Sequence, residues 1–319
     1  MKLIKPPRLM PGQTIGLVAP SSAFDDPEEI RAAQETIESL GFRVKLGQHV
    51  FRRHGYLAGT DEERAADLNA MFADPAIDGI FALRGGYGSS RLLPYLAYPQ
   101  IQQAPKVLLG YSDITALLLA IHVKTGLVTF HGPMVAKDFA DPNGVNLDSW
   151  ARALNGSSEW ALELDSDVKP LVEGAAEGIL YGGCLSILVS SLGTPYEIQT
   201  AGTVLFIEDI AAKPYQIDRM LMQLKLAGKL ADVEGIVFGE MIDCTQNKDQ
   251  SYSLQDVILR VVGELGVPVA FGLRSGHVSL GNITLPFGVR AALKVTTNAV
   301  NLEIKEAATV LAASSRSAG

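Results

Sequence analysis

Val107-Leu108-Leu109-Gly110-Tyr111-Ser112-Asp113-Ile114-Thr115 passes from an apolar run into a helix, with a serine at the corner. The run up to Leu109 is short and wholly apolar, which reads as the end of a buried strand. Residues 114–123 (ITALLLAIHV) read as a helix buried on most faces. Ser112 therefore stands at a strand-to-helix turn. A side chain there projects clear of the backbone, and the unpaired N–H groups of the first helical turn offer donors to an oxyanion. That is the logic of a nucleophile elbow, although Ile114 replaces the second glycine of G-x-S-x-G. The competing reading makes Ser112 a helix cap, a role serine fills well.

Outward from this turn, short apolar runs alternate with capped helices. Residues 14–20 (TIGLVAP) form a strand, and Asp26-Pro27 then supplies an N-cap and a first-turn proline for a helix that Gly41 ends. Residues 42–46 are a second strand, Thr60-Asp61-Glu62-Glu63 is a capping box, and residues 79–83 (GIFAL) are a third strand. The alternation predicts an α/β fold with a parallel sheet covered on both faces, its functional loops gathered at the carboxyl ends of the strands. Two loops qualify, Arg84-Gly85-Gly86-Tyr87-Gly88 and the turn at Ser112. Residues 127–130 carry the sheet on into His131-Gly132-Pro133-Met134.

The stretch from Asp141-Pro142-Asn143-Gly144 to Glu173-Gly174 is polar and poorly periodic apart from a short helical patch around Trp150, which marks a domain boundary. The expected division is an N-terminal domain at residues 1–145, a linker at 146–173, a C-terminal β/α domain at 174–306 and a flexible tail at 307–319. In the second half, Gly182-Gly183-Cys184 opens an apolar helix at 185–192. The strand at 203–207 (TVLFI) ends in Glu208-Asp209, an amphipathic helix covers 215–226, and residues 269–273 lead into Ser275-Gly276-His277. Residues 289–295 and 299–304 read as an antiparallel hairpin.

Composition narrows the functional classes. With 319 residues, 47% hydrophobic, and a formal net charge of -8, the chain lacks the electrostatic footprint for nucleic acid or an anionic membrane, so a small-molecule partner is expected. No segment has roughly 18 uninterrupted apolar residues, and a cytoplasmic location is expected. Cys184 and Cys244 are too few for a disulfide framework and have no metal-site spacing. No metal or cofactor is expected. The glycine loop fails G-x-G-x-x-G because Arg91 stands where the third glycine belongs, and no Walker sequence occurs. A second oxyanion donor from Gly85 or Gly86 and a tight structural turn are its two readings.

A serine nucleophile needs a base, and the base needs an acceptor to hold its tautomer. His49 and His54 lie in a polar connection and His122 lies inside a helix, which leaves His277 in a glycine-flanked loop and His131 as a reserve base. Glu208 ends an apolar strand, where a carboxylate is costly to bury unless a group such as a histidine pairs with it. The alternative for Glu208-Asp209 is dipole compensation before the following helix. Cys184, at a helix start, is a rival nucleophile if its thiol is acidic and otherwise a structural residue. Ser166-Asp167-Val168-Lys169 and Lys124-Thr125-Gly126 match fragments of the penicillin-binding signature, but in reversed order, and the second reads as a helix C-terminus.

Taken together, Arg84-Gly85-Gly86-Tyr87-Gly88, Gly110-Tyr111-Ser112-Asp113, Phe130-His131-Gly132-Pro133-Met134, Ile207-Glu208-Asp209, Ile217-Asp218-Arg219 and Gly276-His277 resemble the LD-carboxypeptidase family of serine peptidases. The resemblance implies a catalytic Ser112, His277 and Glu208, with oxyanion donors from the backbone of Asp113 and Gly86. It implies an N-terminal flavodoxin-like domain, a C-terminal swivelling β/α domain and a homodimer. The implied activity is release of the terminal D-alanine from murein tetrapeptides; a similar sister branch, the microcin C self-immunity peptidases, cleaves aminoacyl-nucleotides. Cys184 replaces the family's usual asparagine, and Arg274-Ser275 replaces a more apolar lead into Gly276-His277. Both bear on substrate preference. Arg84 and Arg91 are candidates to hold the substrate's carboxylate, against structural ion pairs. A non-catalytic ligand-binding protein, with Ser112 and the glycine loop holding an anion, is the competing class.

Overall fold

Strands buried on both faces set the architecture. In the computed structural model, which describes residues 2–162, 164, 167–246 and 251–311, the first half alternates strand and helix as its sequence pattern requires. It runs β1 (Thr14–Val18), α1 (Pro27–Ser39), β2 (Arg43–Leu46), α2 (Asp61–Ala73), β3 (Gly79–Ala82), α3 (Tyr98–Gln103), β4 (Val107–Gly110), α4 (Thr115–Thr125) and β5 (Thr129–His131). Asp26 caps α1 by accepting the Glu28 N–H, and Thr60 and Glu63 close a reciprocal capping box at α2. α4 ends at Gly126, which adopts the left-handed conformation, so Lys124-Thr125-Gly126 is a helix terminus. The five strands are parallel in the order β2-β1-β3-β4-β5, the flavodoxin-like order with its switch point between β1 and β3.

The second half runs α5 (Leu147–Asn155), β6 (Trp160–Ala161), β7 (Lys169–Val172), β8 (Gly174–Cys184), α6 (Leu185–Ser190), β9 (Thr203–Glu208), α7 (Pro214–Leu226), β10 (Gly235–Gly239), α8 (Leu254–Val262), β11 (Val269–Leu273), β12 (Leu285–Phe287), β13 (Val289–Thr296) and β14 (Ala299–Ile304). Its sheet has the order β6-β14-β13-β8-β9-β10-β11-β7. β8 to β11 are parallel, and β9, β10 and β11 are buried along their whole length. β13 alternates buried and exposed residues, as an antiparallel strand with one solvated face should.

The chain crosses between the sheets more often than its pattern announces. The stretch expected to be a linker supplies α5, whose Trp150 packs edge-on against Phe42, Phe81 and Phe139 of the first half, and two edge strands, β6 and β7, of the second sheet. β12 returns to the first sheet and pairs antiparallel with β5. The start of the expected flexible tail is tied down: Ala308 and Thr309 are buried, the Thr309 hydroxyl donates to the Leu154 carbonyl, and Val310 bridges to Pro7. Ser166 lies outside the described residues. No helix among the described residues is long and apolar enough to cross a membrane.

Candidate active site

Ser112 occupies the corner between β4 and α4 with φ of 60°, a left-handed conformation that is strained for a residue with a Cβ. Its neighbour fixes that corner. The buried Asp113 carboxylate accepts hydrogen bonds from the Ser21 hydroxyl (2.6 Å), at the end of β1, and from the Ser89 N–H (2.8 Å), while the Ser89 hydroxyl donates to the Asp113 carbonyl. Gly85 makes the close approach possible, since a Cβ there would stand 3.0 Å from Ser112 Cβ and 3.1 Å from its Oγ. The glycine loop is pinned in turn by Ser22, whose Oγ accepts the Tyr87 N–H at 3.1 Å.

Glu208, at the carboxyl end of β9, is fully buried, and its Oε2 accepts from His277 at both the backbone N–H (3.1 Å) and Nδ1 (2.7 Å). Burial opposes ionisation of Glu208, but the facing His131 and His277 imidazoles outweigh it and bring the carboxyl to about 2. Gly276 clears the space: a Cβ there would meet the Glu208 carboxyl carbon at 2.6 Å, and its φ of 92° suits glycine. Asn282 brackets the same glycine, accepting its N–H and donating to its carbonyl, both at 3.0 Å. The His277 ring packs edge-on against Tyr111, with centroids 5.1 Å apart.

Ser112, His277, Gly85, Gly86, Arg84 and Lys137 line one cleft of about 350 Å³ at the carboxyl ends of the first sheet's strands. A partly exposed serine, an imidazole held by a buried carboxylate, and a glycine loop against a helix start are the parts of an acyl-transfer centre. Comparison with known proteins agrees with that chemistry. Residues 15–132 match the LD-carboxypeptidase N-terminal domain, and residues 177–293 match the LD-carboxypeptidase C-terminal domain. The probable murein peptide carboxypeptidase of Bacillus subtilis is 42% identical over 302 residues, covering 94% of each chain. The chain belongs to the LD-carboxypeptidase family. It is a serine-type carboxypeptidase. Among solved structures, the LD-carboxypeptidase chain is similar to MccF in complex with glutamyl sulfamoyl guanosine, with a TM-score of 0.89, 27% identity and coverage of 96% and 99% of the two chains. It is also similar to muramoyltetrapeptide carboxypeptidase from Oxalobacter formigenes, with a TM-score of 0.83, 30% identity and coverage of 92% and 99%.

Other sequence candidates fall elsewhere in this LD-carboxypeptidase family chain. Arg91 does not line the cleft; its guanidinium is paired with both Asp61 carboxylate oxygens, with Nε at 2.8 and 3.0 Å. Arg84 does line it, donating to the Ala23 carbonyl and lying over the Phe24 ring. Cys184 is no rival nucleophile, because burial raises its thiol well above the ordinary value and the nearby Glu208 and Asp209 reinforce the shift. Asp209 does compensate a helix, but the preceding one, accepting the Ser186 N–H at the start of α6. His131 is fully buried away from the cleft, so it is not placed to serve as the base. His49 is held by Asp67 and His122 by the Leu127 carbonyl.

The sequence reading passed over Ser21, Ser22 and Lys137. Ser21 and Ser22 follow a parallel strand, the same position that singled out the glycine loop, so strand-end logic applied evenly would have found them. Lys137 lies in a π-helical turn, Val135–Phe139, and its ammonium sits 5.9 Å from the Tyr111 ring centroid. Nothing local in the sequence marks it.

Proposed function

We propose that this protein releases the terminal D-alanine from murein tetrapeptides by a Ser112-His277-Glu208 acyl-enzyme mechanism. The observation that carries the reading is the shared cleft: a strained, partly exposed serine and an imidazole gripped by a buried carboxylate line the same opening. His277 Nε2 takes the Ser112 hydroxyl proton as Oγ attacks the scissile carbonyl. Glu208 steadies the imidazolium. The N–H groups of Asp113 and Gly86 receive the oxyanion, the proton passes from His277 to the leaving amine of D-alanine, and water, activated by the same imidazole, hydrolyses the acyl-enzyme. The Asp113 N–H belongs to the first helical turn, which supports its role as donor.

Lys137 and Arg84, the cations at the cleft, are assigned to the substrate's terminal carboxylate. The relatives named for murein peptides support the substrate class, and a cytoplasmic location is part of the same proposal. The homodimer is part of the same proposal, checked by light scattering on the purified protein. The high structural similarity to MccF keeps aminoacyl-nucleotide amides as the second substrate to test. Mass spectrometry of a murein tetrapeptide incubated with the protein, and in parallel with Ser112→Ala, decides. Loss of one D-alanine with the unmutated protein alone is the expected result. An intact tetrapeptide beside a cleaved aminoacyl sulfamoyl nucleoside would replace the substrate, and cleavage of neither would overturn the reading.

A further inference from the structure

His131 ends β5 in the first sheet, and its fully buried ring lies among Tyr111, Phe206 and Phe287. Nδ1 is 3.0 Å from the Ser275 hydroxyl, and Nε2 points at Glu208 Oε1 from 3.9 Å. Among the described residues, neither Nε2 nor Oε1, both buried, has a hydrogen-bond partner. Ser275 Oγ also lies 2.8 Å from the Ile283 carbonyl, and its single proton serves only one of the two acceptors. If the proton goes to Ile283, His131 must carry its own on Nδ1, and its Nε2 lone pair then faces a buried carboxylate. If the proton turns to Nδ1, an Nε2–H faces Glu208 Oε1 across 3.9 Å, a gap longer than a hydrogen bond but short enough for charge to act. The second arrangement wins, because the first sets a lone pair against a buried carboxylate and the second turns an N–H dipole toward it.

We propose that His131, fixed by Ser275 as the Nε2–H tautomer, is a positioning residue that turns its N–H toward Glu208 Oε1 and so keeps Oε2 aimed at His277. The chain Ser275, His131, Glu208, His277 thereby ties the triad's acid, carried by the second sheet, to the first sheet that carries Ser112. The inference rests on the Ser112-His277-Glu208 reading and deepens it. Burial disfavours the imidazolium of His131, so it is the neutral ring that faces Glu208. The titratable groups facing Glu208 are His131, His277, Tyr111, Cys184, Cys244 and Asp209. Of these titratable groups the two imidazoles stabilise its charge, and the His277 N–H adds a hydrogen bond to Oε2.

The first test needs no activity. Nitrogen-15 spectra of the imidazoles of the resting protein, with the His131 signals assigned by their loss in His131→Gln, are expected to show a neutral ring protonated on Nε2. A ring protonated on Nδ1 alone, or an imidazolium, would overturn the proposal, whether or not Ser112 proves to be the nucleophile. The second test is the pH profile of kcat/KM. His131→Phe keeps the ring shape but removes the N–H, so Glu208 holds its proton more tightly and the carboxylate–imidazole pair titrates higher. Its acid limb is expected to move upward, with a kcat loss of roughly 10–100-fold, the usual scale for groups that orient a catalytic residue, and little change in KM.

His131→Gln, whose amide nitrogen stands near the place of Nε2, is expected to restore both the profile and the rate. A kcat loss in His131→Phe with an unmoved pH profile would reduce His131 to packing. Should His131→Phe fail to fold, Ser275→Ala serves in its place, because it removes the hydroxyl that fixes the tautomer. It is expected to move the acid limb in the same direction by less, and an unchanged tautomer with an unchanged profile would overturn the proposal.

Discussion

The two sides of the cleft hold their functional groups by different means. On the elbow side, shape does the holding: Ser112 itself carries the positive φ, Gly85 leaves room for it, and Asp113 locks the following peptide with hydrogen bonds to Ser21 and Ser89. On the Glu208 side, charge does it. Glu208 sits in a regular strand, fully buried, and its ionisation survives burial because two imidazoles and the His277 N–H face it. Non-glycine residues with positive φ occur there too, but at Ala211, Met241 and Asp243 in the flanking loops and not at the functional residue. In the proposed mechanism the nucleophile must project and stay reachable, which backbone geometry can arrange, whereas the orienting acid must be dry and ionised at once, which paired charge can arrange.

The largest effect tests the elbow. Ser112→Ala is expected to lower turnover by at least roughly 10⁴-fold while leaving the thermal midpoint unchanged; a variant keeping a tenth of the activity would remove Ser112 from the chemistry. Next comes the charge side. Glu208→Gln keeps the shape and discards the charge, and a loss of roughly 10³–10⁴-fold in kcat is expected. It should also change the response of stability to acid. The Glu208 carboxyl is depressed from 4.5 to about 2 in the folded chain. Its ionised form therefore contributes stability present above the ordinary value and lost as pH falls through about 2, a contribution Glu208→Gln lacks. Urea midpoints measured across that acid range for the two proteins compare them directly. A smaller effect returns to shape: Gly85→Ala sets a methyl 3.0 Å from Ser112 Cβ. Roughly 10–100-fold in kcat is expected from that displacement, and full activity would mean the glycine loop yields easily.

Much of the shape side was legible in the sequence, and so were Glu208 and His277 on the charge side, but not the groups that surround them. A strand buried on both faces must be continuously apolar, so β1, β3, β4, β9, β10 and β11 could be read from their runs, and the elbow followed from the abrupt change of pattern at Gly110. β12 escaped because three residues carry no period, and its place beside β5 is decided by packing between distant parts of the chain. The same holds for Ala308 and Thr309, whose small polar surroundings read as a frayed end although both are buried. His131 was visible only as a histidine at a strand end. That it faces Glu208 from the other sheet depends on how the two sheets meet, which no local pattern encodes. Arg91 shows the converse, since an arginine near a glycine loop suggested a ligand and the structure gives it Asp61.

The smallest predicted effect asks whether charge matters at all on the elbow side. Asp138 is buried beneath it, accepting the Met134 N–H at 2.7 Å. Burial raises its carboxyl from 3.8 to about 6, against the opposing pull of the Met134 N–H and the Lys137 ammonium. A raised carboxyl favours the neutral form, so its contribution is fully present below about 3.8 and is lost as pH rises through about 6. At pH 8 the native protein therefore carries a buried carboxylate. Asp138→Asn removes that charge and retains an oxygen for the Met134 N–H. The shift sets a ceiling of roughly 3 kcal/mol. About 1–2 kcal/mol of added stability is expected at pH 8, because the buried amide that replaces the carboxylate keeps a desolvation cost of its own. No gain is expected at pH 4, where the native carboxyl is already neutral. Urea unfolding at the two pH values measures the difference, and an equal gain at both would mean packing and not charge had changed. If the elbow is set by shape, the same variant keeps its activity, and the contrast with Glu208→Gln, a comparable loss of one buried charge, becomes the sharpest measure of how differently the two sides of the cleft are built.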